Sequence, residues 1–410
     1  MLFQTLDDKD DCVGIYYQNQ LLFDAEAFPA DLGFTWKYAP YLRDKNIEYA
    51  SLYLEGSPLS PVLPEYLQDD WEDISKKLTA FKRSLSIAQV DMLQNCFFDL
   101  VPQRFLVEFC EIKNKITQYV LDKVEKPRRY NFYQHTAMML GDIAARPVAI
   151  DYRKVKSYLG HPKLGGYARA LLSCKPCVEY NQFGTKTGRL TTKKGCFPIL
   201  TLSKDLRGVV SPQNDFFVEL DFNGAEVRTL LGLLNSPQPE SDVHEFHLEN
   251  IFTTLSTRAE AKVAFFAWLY GSASATSLRE NKSLELFYKK DQLLETYWHE
   301  GTITTPYGKK IKDVSRHHAL NYLIQSTSAE LAIKQALKLD HLLRSKGTGS
   351  HLAFIIHDAV VLDMKHEDVG LLPALIYLMG STNYGHYPVN TKVGLTLGGL
   401  EKKEYEIWTR

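Results

Sequence analysis

Short stretches in which apolar and polar side chains alternate occupy the first 80 positions of the chain. Leu2–Leu6, Val13–Gln18 and Leu21–Asp24 show this alternation between polar turns, so each predicts a strand. The stretch from Glu55 to Pro64 holds three prolines and one glycine, which indicates a loop or linker. We therefore expect residues 1–80 to form a small strand-rich domain.

From about Asp70 the apolar residues recur at mixed spacings of three and four, which is the helical pattern. FLVEFCEIKNKITQYVLDKV (105–124) predicts an amphipathic helix. It runs into a basic cluster, KPRRY (126–130), which is either a solvated helix end or a contact for phosphate. Further along, Arg258–Gly271 and Ala319–Leu339 also predict helices. The central part of the chain is therefore expected to be mostly helical.

Two short apolar runs each carry an aspartate. FFVELDF (216–222) contains Asp221 and LAFIIHDAVVLDM (352–364) contains Asp358, and both runs predict buried strands. A carboxylate among apolar neighbours is costly, so it usually has a cation, a metal ion or several hydrogen-bond donors beside it. Taken singly, each aspartate is more simply explained as a turn or ion-pair residue. The sequence between them favours a functional role.

The helix TRAEAKVAFFAWLYGS (257–272) places Arg258, Lys262, Phe266 and Tyr270 at steps of four. That spacing sets two cations and two aromatic rings along one face. Cations suit a triphosphate, and a flat apolar surface suits a stacked base. Aromatic residues alone would predict a core stripe, but cations in register with them favour a nucleotide site.

Composition adds one relevant fact, the uneven distribution of charge. The 410 residues are 45% hydrophobic and 24% charged, as in a soluble globular protein, with a net charge of −1. Residues 1–80 hold 15 acidic and 6 basic side chains, which leaves 42 basic and 34 acidic in residues 81–410. The later part, with a net charge of +8, could bind a phosphate backbone, whereas the acidic beginning should avoid one.

The beginning of the chain lacks the regions of a signal peptide, and no apolar run is long enough to span a bilayer. We therefore expect a cytoplasmic, intracellular protein without a membrane partner. Six cysteines are too few for a disulfide scaffold. Cys174 and Cys177 form a C-x-x-C with Cys196 further on, but no second pair completes a zinc motif, so ordinary thiols are expected.

Five motifs in order give the chain a resemblance to family A DNA polymerases, the group of bacterial repair polymerases and many phage replicases. The matching segments are TKTGRLTT (185–192), LDFNGAEVR (220–228), the helix residues Arg258, Lys262, Phe266, Tyr270 and Gly271, LNYLIQSTSAEL (320–331) and IIHDA (355–359). They extend over residues 181–365. Any one could arise by chance, but five in order are a specific signal.

The resemblance implies template-directed DNA synthesis from dNTPs on a primer, by two-metal nucleotidyl transfer that releases pyrophosphate. Asp221 and Asp358 would hold two Mg²⁺ ions, with Mn²⁺ as a substitute, and the backbone carbonyl of Phe222 would be a further ligand. Hard oxygen ligands suit these ions rather than zinc. Primer-template DNA is the expected partner, and the expected form is a monomer.

The resemblance also assigns roles to side chains around the metals. Arg258, Lys262 and His244 would grip the triphosphate, with Lys262 as a general acid for pyrophosphate. Glu226 would exclude a ribose 2′-hydroxyl, Phe266 would pack on the sugar and base, and Tyr270 would stack where the templating base enters. The residues expected to contact DNA near the primer end are Arg189, Asn321, Gln325 and His357. Arg228 is expected to be a supporting ion-pair partner only.

The expected fold class is α+β, a right-hand polymerase with palm, fingers and thumb plus a small strand-rich N-terminal domain. The predicted ranges are an N-terminal domain at 1–80, a thumb at 81–180, a first palm part at 181–240, fingers at 241–335 and a second palm part at 336–410.

Departures from the family pattern leave two other functions to consider. Ala359 replaces the glutamate that follows the second aspartate, and Asn223 and Gly224 replace serine and glutamine. Single-subunit RNA polymerases share the Arg/Lys/Tyr-Gly helix, although Phe266 and Glu226 favour deoxynucleotides. A catalytically silent nucleic-acid clamp would not need both aspartates together with Arg258 and Lys262.

The N-terminal region lies where relatives carry a proofreading exonuclease. FQTL (3–6) stands where such domains read F-D-T-E, so both acids are absent. Asp24 with Glu26, and Tyr66 with Asp70, match fragments of the remaining pattern. We expect a vestigial or replacement domain without exonuclease activity.

Overall fold

The chain divides into two compact units, Met1–Arg146 and Pro147–Arg410. The computed structural model describes residues 1–6, 14–43, 45–92, 95–270 and 278–402, and the side chains of all of these except 278 and 279. Gly271, the last residue of the predicted fingers motif, lies outside the described residues. No helix in the described part of the chain is long and apolar enough to cross a bilayer.

The first unit begins with short strands, as the alternation predicts. These are β1 (Gln4–Thr5), β2 (Ile15–Tyr17), β3 (Gln20–Leu22), β4 (Phe34–Thr35) and β5 (Glu48–Tyr49). An antiparallel sheet has the order β1-β2-β3, and β4 pairs in parallel with β5. Short 3₁₀ helices cover Ala25–Ala27, Pro40–Leu42, Ala50–Leu54 and Phe97–Leu100.

Three helices complete the first unit: α1 (Glu65–Ile87), α2 (Gln103–Lys123) and α3 (Tyr130–Ala145). Leu67 and Ile74 of α1 pack in one hydrophobic core with Phe105 and Ile116 of α2. The predicted boundary at residue 80 therefore falls inside α1, a helix whose buried residues are shared with α2. The division at Arg146 likewise precedes the predicted end of the thumb at 180. The five predicted ranges stay a prediction.

A buried lysine is the most unusual feature of this unit. Lys113 of α2 is only 8% exposed. Its Nζ lies 4.1 Å from the ring centre of Trp36 and 4.5 Å from that of Trp71. The two indoles hold the ammonium by cation–π contacts, while burial lowers the pKa of Lys113 to about 7.

Among the described cysteines, Cys110, Cys174, Cys177 and Cys196 are free thiols, as expected. Cys96 is disulfide-bonded, a pairing that the sequence did not indicate. Spacing along the chain does not report separation in space, and it is separation that decides whether a disulfide forms.

The second unit is built around one antiparallel sheet. The strands of the whole second unit are β6 (Ala149–Ile150), β7 (Tyr180–Asn181), β8 (Thr191–Thr192), β9 (Val210–Ser211), β10 (Phe216–Phe222), β11 (Trp298–His299), β12 (Thr302–Thr304), β13 (Lys310–Ile311), β14 (His351–Ile356), β15 (Ala359–Met364), β16 (Ser381–Thr382), β17 (Gly385–His386), β18 (Val389–Gly394) and β19 (Glu401–Lys402). The main sheet has the order β14-β15-β10-β18-β19, with β10 at its centre. A central strand is covered on both faces, which explains its nearly continuous apolar sequence.

The second unit also contains helices. They are α4 (Tyr152–Ser157), α5 (Gly165–Ser173), α6 (Ala225–Leu233), α7 (Val243–Asn250), α8 (Arg258–Tyr270), α9 (Leu278–Tyr288), α10 (Lys290–Tyr297), α11 (Arg316–Ser345) and α12 (Leu372–Gly380). Short 3₁₀ helices cover Lys204–Val209 and His366–Leu371. Helices α6 to α11 share a core that includes Leu230, Phe265, Leu294 and Leu323.

The predicted strand at 352–364 is a hairpin rather than one strand. Strands β14 and β15 are antiparallel partners, with Ile356 opposite Ala359. The chain therefore reverses at His357 and Asp358. The continuous apolar run concealed the turn, because two buried strands of a hairpin and one long strand have the same hydrophobicity pattern.

Candidate active site

A cavity of about 530 Å³ brings most of the predicted site residues together within the second unit. It is lined from β10 and the turn after β14, from the starts of α6 and α7, and from α8 and α11. The predicted residues in its wall are Arg189, Asp221, Phe222, Glu226, His244, Arg258, Lys262, Phe266, Tyr270, His357 and Asp358. These residues come from segments up to 169 positions apart, so the fold alone brings them together.

The two aspartates enter this cavity from paired strands. Asp221 is near the end of β10, directly opposite Ala359, the first residue of β15. Asp358 precedes Ala359 and lies in the hairpin turn. Burial and repulsion from Asp358 raise the pKa of Asp221 to about 7. Burial also raises the pKa of Asp358. Two carboxyl groups that raise the cost of each other's charge are well suited to hold a cation.

The turn that carries Asp358 is conformationally restricted. His357 has a φ of 59°, in the left-handed region that favours glycine. The turn has two residues, because Ile356 pairs with Ala359 on either side of it. A histidine kept in such a conformation is typical of functional positions. Its exposed side chain is part of the cavity wall.

A polar group beside Asp221 was not predicted from the sequence. Asn390 of β18 lies opposite Asp221 on the other side of β10, and its side chain hydrogen-bonds the carboxylate. Two pairs further along, Lys392 forms an ion pair with the buried Glu219. Asn390 and Lys392 each favour the charged form of Asp221. Lys392 also pairs with the charge of Glu219 beside it. No motif marks Asn390 or Lys392 because their role depends on strand pairing.

The two cations of α8 differ in their surroundings. Arg258 donates to Asp242 over 2.7 Å, whereas Lys262 is exposed in the cavity. Asp242 also accepts from the amides of His244 and Glu245, which makes it the N-cap of α7. Burial alone would raise the pKa of Asp242, but hydrogen bonds led by that of Arg258 hold it well below its usual range. Asp242 thus fixes Arg258 against the start of α7.

His244 of α7, which is predicted to contact the triphosphate, is almost fully buried. Burial lowers its pKa to about 4, and Asp242 only partly opposes this effect. The ring is therefore neutral at physiological pH in the chain without ligand. Its Nδ1 has no hydrogen-bond partner among the described residues. A neutral ring with an unpaired nitrogen is prepared for a polar ligand.

Glu226 is held from two sides. It lies just past β10, in the first turn of α6, where it pairs with Arg189 and accepts from the Tyr270 hydroxyl over 3.2 Å. Burial raises the pKa of Glu226, and Arg189 opposes that rise. Phe266 stacks on Tyr270 with a centroid distance of 5.7 Å and an interplanar angle of 18°. Arg189, Glu226, Tyr270 and Phe266 therefore form one connected wall.

Gly224 accounts for one of the departures from the family motif. Its φ is +70°, and a Cβ there would meet Val243 Cγ2 at 2.4 Å. Glycine is required because the chain turns sharply from β10 into α6 while packed against α7. The side chain of Asn223 meanwhile donates to Asp242 over 3.0 Å. The two replacements thus fit the local packing of this chain.

Two predicted DNA contacts are not part of the cavity wall. Asn321 and Gln325 lie one turn apart on α11, which lines the cavity through Ser328, Ala329 and Ile333 instead. Gln325 reaches the Tyr270 hydroxyl. The Oδ1 of Asn321 is buried without a partner among the described residues.

Arg228 is fully buried, and the expected ion pair is not its main contact. Its guanidinium donates to the carbonyl oxygens of Asn223, Pro239 and Ser241 at 2.7 to 2.9 Å. The planar guanidinium has several donors, so one side chain can bind three carbonyls. Arg228 therefore ties the segment before α7 to the end of β10.

The sheet and the surrounding helices have the fold of a polymerase domain of the right-hand type. The chain superposes on the POL domain of Pol1 from M. smegmatis, solved in complex with DNA primer-template and dNTP, with a TM-score of 0.56. The match covers 72% of this chain and 76% of that one at 13% identity. The predicted α+β right-hand fold is confirmed.

Sequence comparison leads to the same group of proteins. The chain is 24% identical to DNA polymerase I of Aquifex aeolicus over 265 residues, and also 24% identical to the thermostable DNA polymerase I of Thermus filiformis over 276 residues. Each match covers 55% of this chain, and it covers 45% and 32% of those relatives, so the chain spans less than half the length of either. No protein-family model matches the chain. The predicted resemblance to family A DNA polymerases is confirmed at low identity.

Proposed function

We propose that this chain is a DNA-directed DNA polymerase that extends a primer with dNTPs by two-metal nucleotidyl transfer. The observation that carries the proposal is the cavity in which Asp221 and Asp358 meet Arg258 and Lys262. Two acids and two cations in one cavity match the needs of a metal-bound triphosphate. Neither a structural ion-pair role nor simple DNA binding requires that combination.

The residues present fit divalent cations. Asp221 and Asp358 offer hard carboxylate oxygens, and their mutual repulsion is a cost that cations would relieve. Asp221, Asp358 and the carbonyl of Phe222 would hold two Mg²⁺ ions, or Mn²⁺ in their place. When bound, such ions lower the pKa of the primer 3′-hydroxyl and neutralise the charge of the triphosphate and leaving pyrophosphate.

The cations of α8 and the ring of His244 would position the triphosphate. Arg258 is already oriented by Asp242 toward the start of α7, where His244 has an unpaired nitrogen. Lys262, an exposed cation of the cavity, would donate the proton that pyrophosphate needs as it leaves. Positioning by Arg258 and His244 keeps the α-phosphate close to the primer end.

The connected wall would select the sugar and base. Glu226, held by Arg189 and Tyr270, would crowd a ribose 2′-hydroxyl, while Phe266 would pack against the sugar and base. Tyr270 would stack beside the templating base. On the DNA side, we assign Arg189 and His357 to the primer end, with Asn321 and Gln325 of α11 near its minor groove.

The N-terminal unit supports a polymerase without proofreading. Gln4, which stands where the exonuclease pattern has an acid, is buried and donates to Asn114 and Thr117, each over 3.0 Å. Asp24 caps a short helix by accepting from the amide of Glu26. Both are structural roles. We further propose that the enzyme acts as a monomer inside the cell, where its substrates are found.

Primer extension by the full chain tests the proposal directly. We expect extension with dNTPs and Mg²⁺, little with rNTPs, and at least a hundredfold loss in Asp221→Asn and Asp358→Asn. Asp313→Asn is the matched control, because Asp313 is an exposed carboxylate outside the cavity and should not matter. Extension by either active-site variant at the control rate contradicts the two-metal assignment. Equal use of rNTPs would favour the RNA polymerase alternative, and DNA binding without extension would favour the clamp.

A further inference from the structure

A second cluster of ligand-type side chains lies outside the active-site cavity. The sulfur atoms of Cys177 and Cys196 and a carboxylate oxygen of Glu179 all lie within 4.8 Å of one another. Both cysteines are buried free thiols, and Glu179 is partly buried. In a tetrahedral zinc site with bonds of about 2.0 to 2.3 Å, ligand atoms are separated by about 3.3 to 3.8 Å, so the three atoms would have to approach one another by up to about 1 Å or slightly more. Small side-chain rotations would complete the contraction.

Cys174, three residues before Cys177, is the candidate for a fourth ligand, although it is not part of this group of three. It follows the last residue of α5, and its thiol donates to the carbonyl of Leu171 over 3.3 Å. That weak hydrogen bond leaves the side chain able to rotate. Two thiolates with a third from Cys174 and one carboxylate would give a set dominated by soft ligands, which selects zinc over magnesium. The missing second C-x-x-C of the sequence is thus replaced by residues that the fold brings together.

Backbone pairing holds these residues in place. The amide of Phe197 donates to the carbonyl of Cys177 over 2.9 Å, and the amide of Lys193 donates to that of Glu179 over 2.8 Å. Lys175 and Cys196 also form an isolated backbone β-bridge. The two sides of the cluster are therefore neighbouring segments that flank β7 and β8 and are joined by backbone hydrogen bonds. Backbone hydrogen bonds between these segments restrict the ligand positions before any ion binds.

Existing interactions compete with metal binding at this cluster, among them the hydrogen bonds of the Cys196 thiol with Glu179 and Cys177. Lys193 forms an ion pair with Glu179 at 2.9 Å, and its side chain is 58% exposed. Exposed ion pairs contribute little to stability, so Lys193 can release the carboxylate at small cost. With Lys175 nearby, it would instead balance the negative charge of a zinc–thiolate group. Each cysteine that binds zinc gives its thiol proton to solvent.

We propose that Cys177, Cys196 and Glu179, with Cys174, bind one zinc ion that closes the base of the loop carrying Arg189. Cys177 precedes β7 and Cys196 follows β8, and the loop between these strands places Gly188, Arg189 and Leu190 in the cavity wall. A metal at the base of this loop fixes both of its ends. Zinc here is structural, and it is separate from the hard-ion site at Asp221 and Asp358.

Metal binding by the full chain tests this site without relying on polymerase activity. The reduced, chelator-treated protein is titrated with Zn²⁺ against a chromogenic competitor, and with Co²⁺ while thiolate-to-cobalt absorption is recorded. We expect one ion per chain, a higher melting temperature with Zn²⁺, and affinity at least about 100-fold weaker in Cys177→Ser and Cys196→Ser. Cys110→Ser, which alters a buried free thiol of the other unit, should bind zinc like the parent chain.

Glu179→Gln keeps the test decisive if a buried cysteine variant fails to fold. This partly buried residue should tolerate the change, and we expect about tenfold weaker zinc binding with the fold intact. Substoichiometric zinc in the parent chain overturns the proposal, and so does an unchanged zinc affinity in Glu179→Gln. A Cys177–Cys196 disulfide detected by mass spectrometry in place of bound zinc overturns it as well. None of these results bears on primer extension by Asp221 and Asp358.

Discussion

The carboxyl group of Asp221 lowers the stability of the chain when no cation is bound. Its pKa of about 7 lies above the ordinary value of 3.8 because of burial and the nearby Asp358. Between these values the folded state binds more protons than the unfolded state, so stability falls as the pH rises. The cost is fully present above pH 7 and absent below about pH 4.

Asp221→Asn should therefore stabilise the metal-free chain while it removes activity. We expect thermal unfolding at pH 8 in chelator to occur at the same temperature or higher than for the parent chain. Added Mg²⁺ should raise the melting temperature of the parent more than that of the variant. A variant that melts lower in chelator, with Asp313→Asn unchanged, would contradict the electrostatic account of the site.

Glu226→Ala should relax the choice of sugar. A 2′-hydroxyl beside this carboxylate would displace the hydrogen bonds from Arg189 or Tyr270, at a cost of about 1–3 kcal/mol. That corresponds to roughly tenfold to over a hundredfold discrimination. Competitive extension with rNTPs and dNTPs measures the ratio, and Glu249→Ala on the exposed face of α7 serves as the control. A ratio unchanged from the parent enzyme would remove Glu226 from the sugar site.

At the level of single elements, the start of α7 combines two functions in Asp242. Its carboxylate caps the helix and also holds Arg258. Asparagine caps helices as well as aspartate does but carries no charge, whereas alanine does neither. The two substitutions can therefore separate capping from ion pairing.

Asp242→Asn should leave stability nearly unchanged, while Asp242→Ala should lose about 1 kcal/mol. Both should release Arg258 and change the KM for dNTPs, because the arginine is no longer held in place. Denaturant unfolding and steady-state extension give the two readouts. Loss of stability without any change in KM would show that the ion pair has no part in substrate binding.

The caged lysine of α2 predicts a pH effect confined to the first unit. Since the pKa of Lys113 falls from 10.5 to about 7 on folding, the unfolded chain binds more protons between these values. The lysine therefore disfavours folding below pH 7, and this effect is relieved as the pH rises toward 10.5. Relative to Lys113→Met, the parent chain should gain up to about 1.4 kcal/mol per pH unit between pH 7 and 9. Denaturant unfolding of both proteins over this pH range measures the effect. A difference in their free energies of unfolding that stays constant with pH would contradict the prediction.

Sequence patterns predicted helices and strands better than they predicted contacts between distant side chains. The run at 216–222 is predicted residue for residue as β10, and 105–124 matches α2 within two positions. The hairpin at 357–358 was missed because an apolar run carries no information about a reversal between two buried strands. Asn390 and Asp242 were missed for a related reason. Their contacts with Asp221 and Arg258 depend on strand pairing and helix packing, which local spacing does not encode.

Across the whole molecule, charge is distributed unevenly, although the net charge is only −1. In the basic cluster at 126–130, most of the cations already have contacts within the protein. Lys126 pairs with Glu48, and Arg129 lies over the rings of Phe132 and Tyr133, whereas Arg128 is exposed. The choice between a solvated helix end and a phosphate contact therefore depends on Arg128.

We expect primer-template affinity to fall steeply with salt, with Arg128→Ala reducing the slope of log affinity against log salt by about one. Arg83→Ala on α1, an exposed arginine that follows the acidic first 80 residues, should leave the slope unchanged. Fluorescence anisotropy over a range of salt concentrations measures both. Identical slopes for the parent and Arg128→Ala would assign the cluster to the solvated helix end.

The two-residue turn between β14 and β15 has a consequence for how this chain can change over generations. Side chains on either side of it can be exchanged one at a time, as Ala359 in place of glutamate illustrates. An inserted or deleted codon cannot be absorbed in the same way, because it would shift the pairing of Ile356 with Ala359 and turn Asp358 away from Asp221. Descendants of this gene should therefore differ in the residue types at this turn but never in its number of residues.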